Sequence, residues 1–261
     1  MNLDRTLLKR DAMARMQRYK PNPILIGLIV FLLVWVLQYL ALSVLGLNFE
    51  MELDRKAFQS PDAMMQFYSQ FQKELAAHFH PSVFALVLAV ALTVMHLMVN
   101  VGHMIYSLRV VREQKADFGN LLDGFAFFGK AVALGVLELI LIYIGTMLLI
   151  VPGVILYYRY RQAFYLLIDY PDRSPVDCMR ASASLMRGHK MELFVLDLSF
   201  LGWAIVQYIL PPMGIVTEPY FKLTYANYYR ALRGETIPAP APTDREEEEN
   251  TGFPRDDENN R

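Results

Sequence analysis

Six ionisable side chains stand inside long apolar runs: Glu138, Arg159, Arg161, Asp197, Glu218 and Lys222. A charge near the centre of a bilayer costs at least about 2.5–3.5 kcal/mol, so such groups are expected to face protein or a cavity and to pair with neighbours at the same depth. Depth follows from the helical rise of about 1.5 Å per residue. That count matches Arg159 with Glu218 in an outer half, and Lys222 with Glu138 or Asp197 in an inner half. The pairs have two chemical readings: they specify how helices pack, or they line a path for an ion or an anionic headgroup. A second group, His96, Asn100 and His103, falls at i, i+4 and i+7 and therefore shares one helix face. Interhelical hydrogen bonding or a proton or metal site would account for it. His78 and His80, at i and i+2, point apart on a helix, so no metal role is assigned to them.

No catalytic residue can be named. The chain carries no HExxH, GxSxG, phosphate-binding loop or paired acids on a water-facing segment, so it is expected to be non-enzymatic, with no cofactor and no metal. Its single cysteine, Cys178, excludes an intramolecular disulfide and a cysteine-based zinc cluster.

The elements that would position these residues are apolar helices. Hydrophobic residues make up 54% of the chain, and several runs reach the 18 or more that cross a bilayer, which places it among multispanning membrane proteins. The expected fold is all-α and polytopic: six transmembrane helices in three hairpins, at 24–47, 83–108, 131–151, 154–170, 193–210 and 215–232, plus short interfacial helices. Val151-Pro152-Gly153 is read as the turn of the second hairpin, and Pro211-Pro212-Met213-Gly214 as that of the third. Residues 118–130 read as a short interfacial helix interrupted by glycines. Ser174-Pro175-Val176-Asp177 reads as a helix N-terminus, with a cap, a proline at the first helical position and an acid at the third.

Residues 1–23 form a basic segment in which Leu8, Ala12 and Met16 make a narrow apolar stripe, the pattern of a helix lying on a membrane surface or of a solvated basic arm. The membrane domain is 24–234. Its segment 48–81 lies outside the membrane and contains an amphipathic helix through Met64, Phe67, Phe71 and Leu75. Residues 235–261, with nine acids against three arginines, form a disordered tail. The first apolar run follows a charged segment and is followed by no small-residue cleavage site, so it is expected to stay as a signal anchor. Sixteen basic residues flank the inner ends of the six spans and three lie on the outer segments, which puts both termini in the cytoplasm.

The stretches Leu8 to Met16, Val151-Pro152-Gly153-Val154-Ile155 with Arg159-Tyr160, Ala183-Ser184-Leu185-Met186-Arg187-Gly188-His189-Lys190, Phe194, Leu198 to Trp203 and Glu218-Pro219-Tyr220 resemble an uncharacterised bacterial integral-membrane family, domain of unknown function nine hundred and seventy-five. Pro152, Gly153, Ser184, Gly188, Lys190, Trp203, Pro219 and Tyr220 carry that motif. The family is distantly similar to the membrane domain of some glycerophosphodiester phosphodiesterases. The resemblance implies a multi-pass protein of the bacterial plasma membrane and supplies no reaction. Two roles compete. The expected role is a scaffold or accessory protein that organises lipid or a membrane partner; the alternative is a transporter or lipid-handling protein using the intramembrane charges. The partners expected are membrane lipid with anionic headgroups and a membrane protein, not nucleic acid. A polar cavity open to one side and lined by Arg159, Glu138 and Lys222 would favour the second role, and sealed ion pairs the first.

Overall fold

The N-terminal basic segment is where local sequence chemistry first meets tertiary packing. Asp4 accepts from the backbone N–H groups of Thr6 and Leu7 and starts α1 (Arg5–Arg18). Leu8, Ala12 and Met16 are 1%, 0% and 2% exposed, because α1 packs on α12 (Gly214–Leu232) rather than lying on a surface as a solvated arm. The buried face is wider than the apolar stripe. Asp11 and Arg15 are also buried, and Asp11 accepts from Arg15 Nε (2.7 Å) and from Asn227 Nδ2 of α12 (2.8 Å). Arg15 also donates to the carbonyl of Val110 at 3.0 Å. Charged residues thus join a core contact because each finds a partner inside it.

The computed structural model describes residues 4–45, 60–78 and 82–237, and every regular element among them is helical. Asn22 caps α2 (Pro23–Val44), with Pro23 at its first position. α3 (Pro61–His78) follows, within the segment read as amphipathic; the side chains of Phe71, Leu75, His78 and His80 lie outside the described residues. Ser82 caps α4 (Val83–Val111). α5 (Asn120–Asp123), a 3-10 turn at Gly124–Phe127 and α6 (Phe128–Leu148) run on from one another as a 29-residue apolar unit. α2, α4 and this unit are three helices long and apolar enough to cross a membrane. A fourth is obtained if α10 (Lys190–Leu198) and α11 (Leu201–Ile209), bent by 44° at Ser199-Phe200, count as one.

Several expected boundaries shift for packing reasons. Residues 118–130 do not lie apart as an interfacial helix. Gly102 meets the backbone of Leu121, and Gly124 meets the backbone of Met98, so closely that neither glycine has room for a Cβ. The glycines thus serve close approach of α4 and α5. The second hairpin turns at Leu149 (φ −164°, ψ 148°), ahead of the Pro152-Gly153 pair. Pro152 instead sits in the first turn of α7 (Ile150–Tyr160), where its missing N–H has no intrahelical partner to lose. Gly153 lets α7 pack directly on Thr146 of α6.

The expected helix 154–170 is broken into α7 and α8 (Ala163–Asp169) at Arg161-Gln162. A side chain makes the break. Ser182 of α9 (Pro175–Leu185) is 0% exposed, donates to the carbonyl of Arg159 (3.0 Å) and accepts from the N–H of Gln162 (3.2 Å). α9 starts as its sequence indicates, with Ser174 Oγ accepting from Asp177 N.

The third hairpin is short. Its turn, a 3-10 turn at Pro211–Met213, leads to Gly214, whose nearest neighbours include the Phe31 ring. Gly27 of α2 meets the carbonyl of Ile215 and the ring of Pro219. Residues 32–44 of α2 continue past this level, and none of them is buried. The third hairpin therefore packs on the first part of α2 only.

Candidate functional site

The break between α7 and α8 leaves Arg161 and Gln162 facing inward, opposite Glu138 of α6 and Lys222 and Tyr225 of α12. Together with Tyr157 of α7 they line a cavity of about 140 Å³, completed by Met104, Ile142, Phe164 and Tyr165. Its charges come from three separate parts of the chain, so no local motif announces it. The Arg161 guanidinium lies 5.2 Å from the centre of the Tyr157 ring and 4.9 Å from that of Tyr225. The aromatic faces attract the cation electrostatically while leaving its N–H edge for other partners. Tyr225 is held from behind: its hydroxyl donates to Asp197 at 2.7 Å, and Tyr158 donates to the same carboxylate at 2.9 Å. Asp197 thus fixes the ring on which Arg161 rests.

Lys222 donates to Asn100 Oδ1 at 3.2 Å, and Asn100 Nδ2 donates to the carbonyl of His96 at 3.1 Å. The polar face of α4 therefore meets α12 as a hydrogen-bond relay. His103, one turn further and 1% exposed, has no hydrogen-bond partner for either ring nitrogen among the described residues. Glu138 Oε1 and Gln162 Oε1, both on the cavity residues, are likewise buried and without a hydrogen-bond partner among the described residues. Buried polar atoms without partners are costly and uncommon in native proteins. Among the described residues no group of three or more His, Cys, Asp or Glu side chains could hold a metal ion.

The expected pairing of Arg159 with Glu218 is not formed. Arg159 is exposed, with its guanidinium 5.7 Å from the Tyr160 ring centre, and Glu218 receives Gln207 Nε2 at 3.4 Å. Two causes combine. Residues two apart on a helix point about 200° apart, so Arg161 and Arg159 cannot share a face; and depth counting took both hairpins to have equal reach. Lys222 likewise forms no ion pair with Glu138 or Asp197, being held by Asn100 while Asp197 is taken by two tyrosines. Sequence reasoning missed Gln162, Tyr157, Tyr158, Tyr225 and Ser182. The one available signal was the density of tyrosine beside the charges in the apolar runs.

A second cluster lies where α4, α8 and α12 end. Arg112 makes a bidentate pair with Asp169 (2.6 and 2.9 Å), which also accepts from Tyr229 at 2.7 Å. Arg112 and Arg230 both reach Glu235, at 2.5 and 3.0 Å, and Arg230 donates to Thr236 O. The hydrogen bond to Asp169 holds the Arg112 guanidinium above its ordinary pKa against the cost of burial. For Glu235, burial works upward but the two arginines outweigh it, leaving the carboxyl below its usual range. Glu235 and Thr236, counted with the tail in the sequence reading, are docked here; residues 238–261 lie outside the described residues.

The motif residues mark turns and helix contacts rather than the cavity. Gly188 has φ +87° between α9 and α10, the Pro219 ring fills the space beside Gly27, and Tyr220 packs edge-on against Phe200 at 5.6 Å. Lys190 opens α10, while Ser184 and Trp203 are exposed. Neither the curated proteins nor the solved structures contain a match, and the resemblance to the glycerophosphodiester phosphodiesterase membrane domain is not shown by either comparison. The family model described as "Protein of unknown function (DUF975)" matches residues 16–236, most of the chain, and the protein belongs to that family.

Proposed function

We propose that the protein is a non-enzymatic, multi-pass protein of the bacterial plasma membrane whose α6–α8–α12 cavity binds a small anionic solute or headgroup fragment, a transport or lipid-handling role. The observation that carries this reading is Glu138 Oε1, buried and unpartnered on a cavity that also presents Arg161 and Lys222. Two cations and one carboxyl leave the cavity with an excess of positive charge. They suit a ligand with an anionic group for Arg161 and Lys222 and a hydrogen-bond donor for Glu138. The scaffold role is the second reading, supported by the large exposed apolar surface of α2, α6 and α11.

The topology that goes with this proposal keeps six helical segments in three hairpins and both termini in the cytoplasm, as the 16 to 3 distribution of flanking bases favours. The third hairpin enters without crossing, because its turn lies beside Phe31 with the rest of α2 beyond it. Irregular backbone at membrane depth is tolerated where it lines a cavity or is covered by protein.

The test is mass spectrometry of small molecules and lipids that copurify in mild detergent with the wild type and with Glu138→Gln, Arg161→Gln and Lys222→Met. The expected result is an anionic species present with the wild type and depleted in all three folded variants. Identical content across the four proteins would remove the cavity as a site and leave the scaffold role.

A further inference from the structure

Sharing no lining residue with the cavity, a groove of about 570 Å³ lies between α1 and the α10–α11 bend. Its lining is basic at Arg5, Lys9 and Arg10 and includes Val195, Ser199 and Tyr220; among the described residues none that lines it is acidic. Lys9 is fixed in place: its ammonium donates to Ser199 Oγ at 2.6 Å and sits 4.5 Å from the Phe200 ring centre. Among the described residues neither Lys9 nor Arg5 forms an ion pair. Partial burial, and then the charge of Arg5, lowers the pKa of Lys9, so these two cations repel one another in the groove. Such an arrangement is stabilised by an anion that enters it.

Two further observations select the source of that anion. Tyr220 follows Pro219, whose ring contacts Gly27, about one turn into α2 from Pro23. The groove is therefore level with the point where the first long apolar helix begins, where headgroup phosphates of the cytoplasmic leaflet would lie. From Ser199 onward, α11 carries an exposed apolar face, Leu201 at 53% and Ile205 at 52%. It leads away from the basic rim in the direction an acyl chain would take. We propose that the α1 and α10–α11 groove binds one anionic phospholipid, its phosphodiester between Arg5, Lys9 and Arg10 and its acyl chains along α11. This site does not depend on the cavity reading.

The experiment titrates the detergent-purified full chain with dioctanoyl phosphatidylglycerol, dioctanoyl phosphatidylcholine or inorganic phosphate, and counts bound molecules by native mass spectrometry. Phosphatidylglycerol is expected to bind in preference to phosphatidylcholine. Replacing all three rim residues by Gln is expected to weaken it roughly a hundredfold, about fivefold for each basic residue. Arg180→Gln/Arg187→Gln, on exposed positions that do not line the groove, should leave binding unchanged. Lys9→Gln and Arg5→Gln singly give the same direction if the triple variant fails to fold. Equal binding by the wild type and the rim variants overturns the proposal, as does equal binding of the two lipids. Inorganic phosphate that binds as tightly as phosphatidylglycerol and displaces it also overturns the proposal, because the site would then be one for a free anion.

Discussion

Removing Arg15 tests whether α1 is an integral part of the bundle. Asp11 and Arg15 are 3% and 9% exposed, and Asp11 has two donors, Arg15 and Asn227. Arg15→Met keeps much of the side-chain volume but leaves the carboxylate buried with Asn227 alone. Truncating one partner of a buried pair costs about 3–5 kcal/mol. The lost contact with Glu113, whose side chain is 70% exposed, adds little to that. At about 2–4 °C per kcal/mol for a chain of this size, the melting temperature should fall by roughly 6–20 °C. Adding Asp11→Asn removes the orphan charge while keeping an acceptor for Asn227, so the double variant should recover at least half of the loss. The assay is thermal unfolding in one mild detergent, followed by far-UV circular dichroism for the wild type, both single variants and the double. A solvated arm would show changes within about 0.5 kcal/mol at every corner. Flat or strictly additive losses would refute the docked helix.

Three more outcomes can be measured on the same preparation. Ser182→Ala leaves the Arg159 carbonyl and the Gln162 N–H without their shared partner and should cost about 1–3 kcal/mol, while exposed Ser184→Ala should stay within about 0.5 kcal/mol; equal effects would show that the hydroxyl does not hold the break. Because the folded pKa of Glu235 is depressed, its contribution to stability is complete above the unfolded value of about 4.3 and is lost as pH falls through the folded one. The melting-temperature gap between wild type and Glu235→Gln should accordingly be wide at neutral pH and close in acid below that value, and a gap of constant width would contradict the pairing of Glu235 with Arg112 and Arg230. Finally, Tyr208→Cys and Pro212→Cys should resist a membrane-impermeant maleimide applied outside intact cells, with buried Cys178 contributing little background; ready labelling would restore a third hairpin that crosses completely.

The all-helical class, the three long apolar helices and the cap at Ser174 were legible in residues alone, because each depends on spacing within one segment. Glu138, Arg161 and Lys222 were legible only as ionisable groups in apolar runs, which must find a polar environment. Their partners were not legible. Whether Arg161 or Arg159 faces inward depends on a helix broken by Ser182, a residue from another helix that inserts its hydroxyl into the backbone. Whether Lys222 meets Glu138 or Asn100 depends on how deep the third hairpin reaches, and that is set by the fit of Pro219 against Gly27. The α1 stripe was visible at Leu8, Ala12 and Met16, yet the burial of Asp11 and Arg15 needed Asn227 and Val110, which lie far along the chain. Periodicity is a local property and shows which face is apolar. Which faces meet, and which charges then share a cavity, is decided only when close contacts between distant segments fix the depth and rotation of each helix.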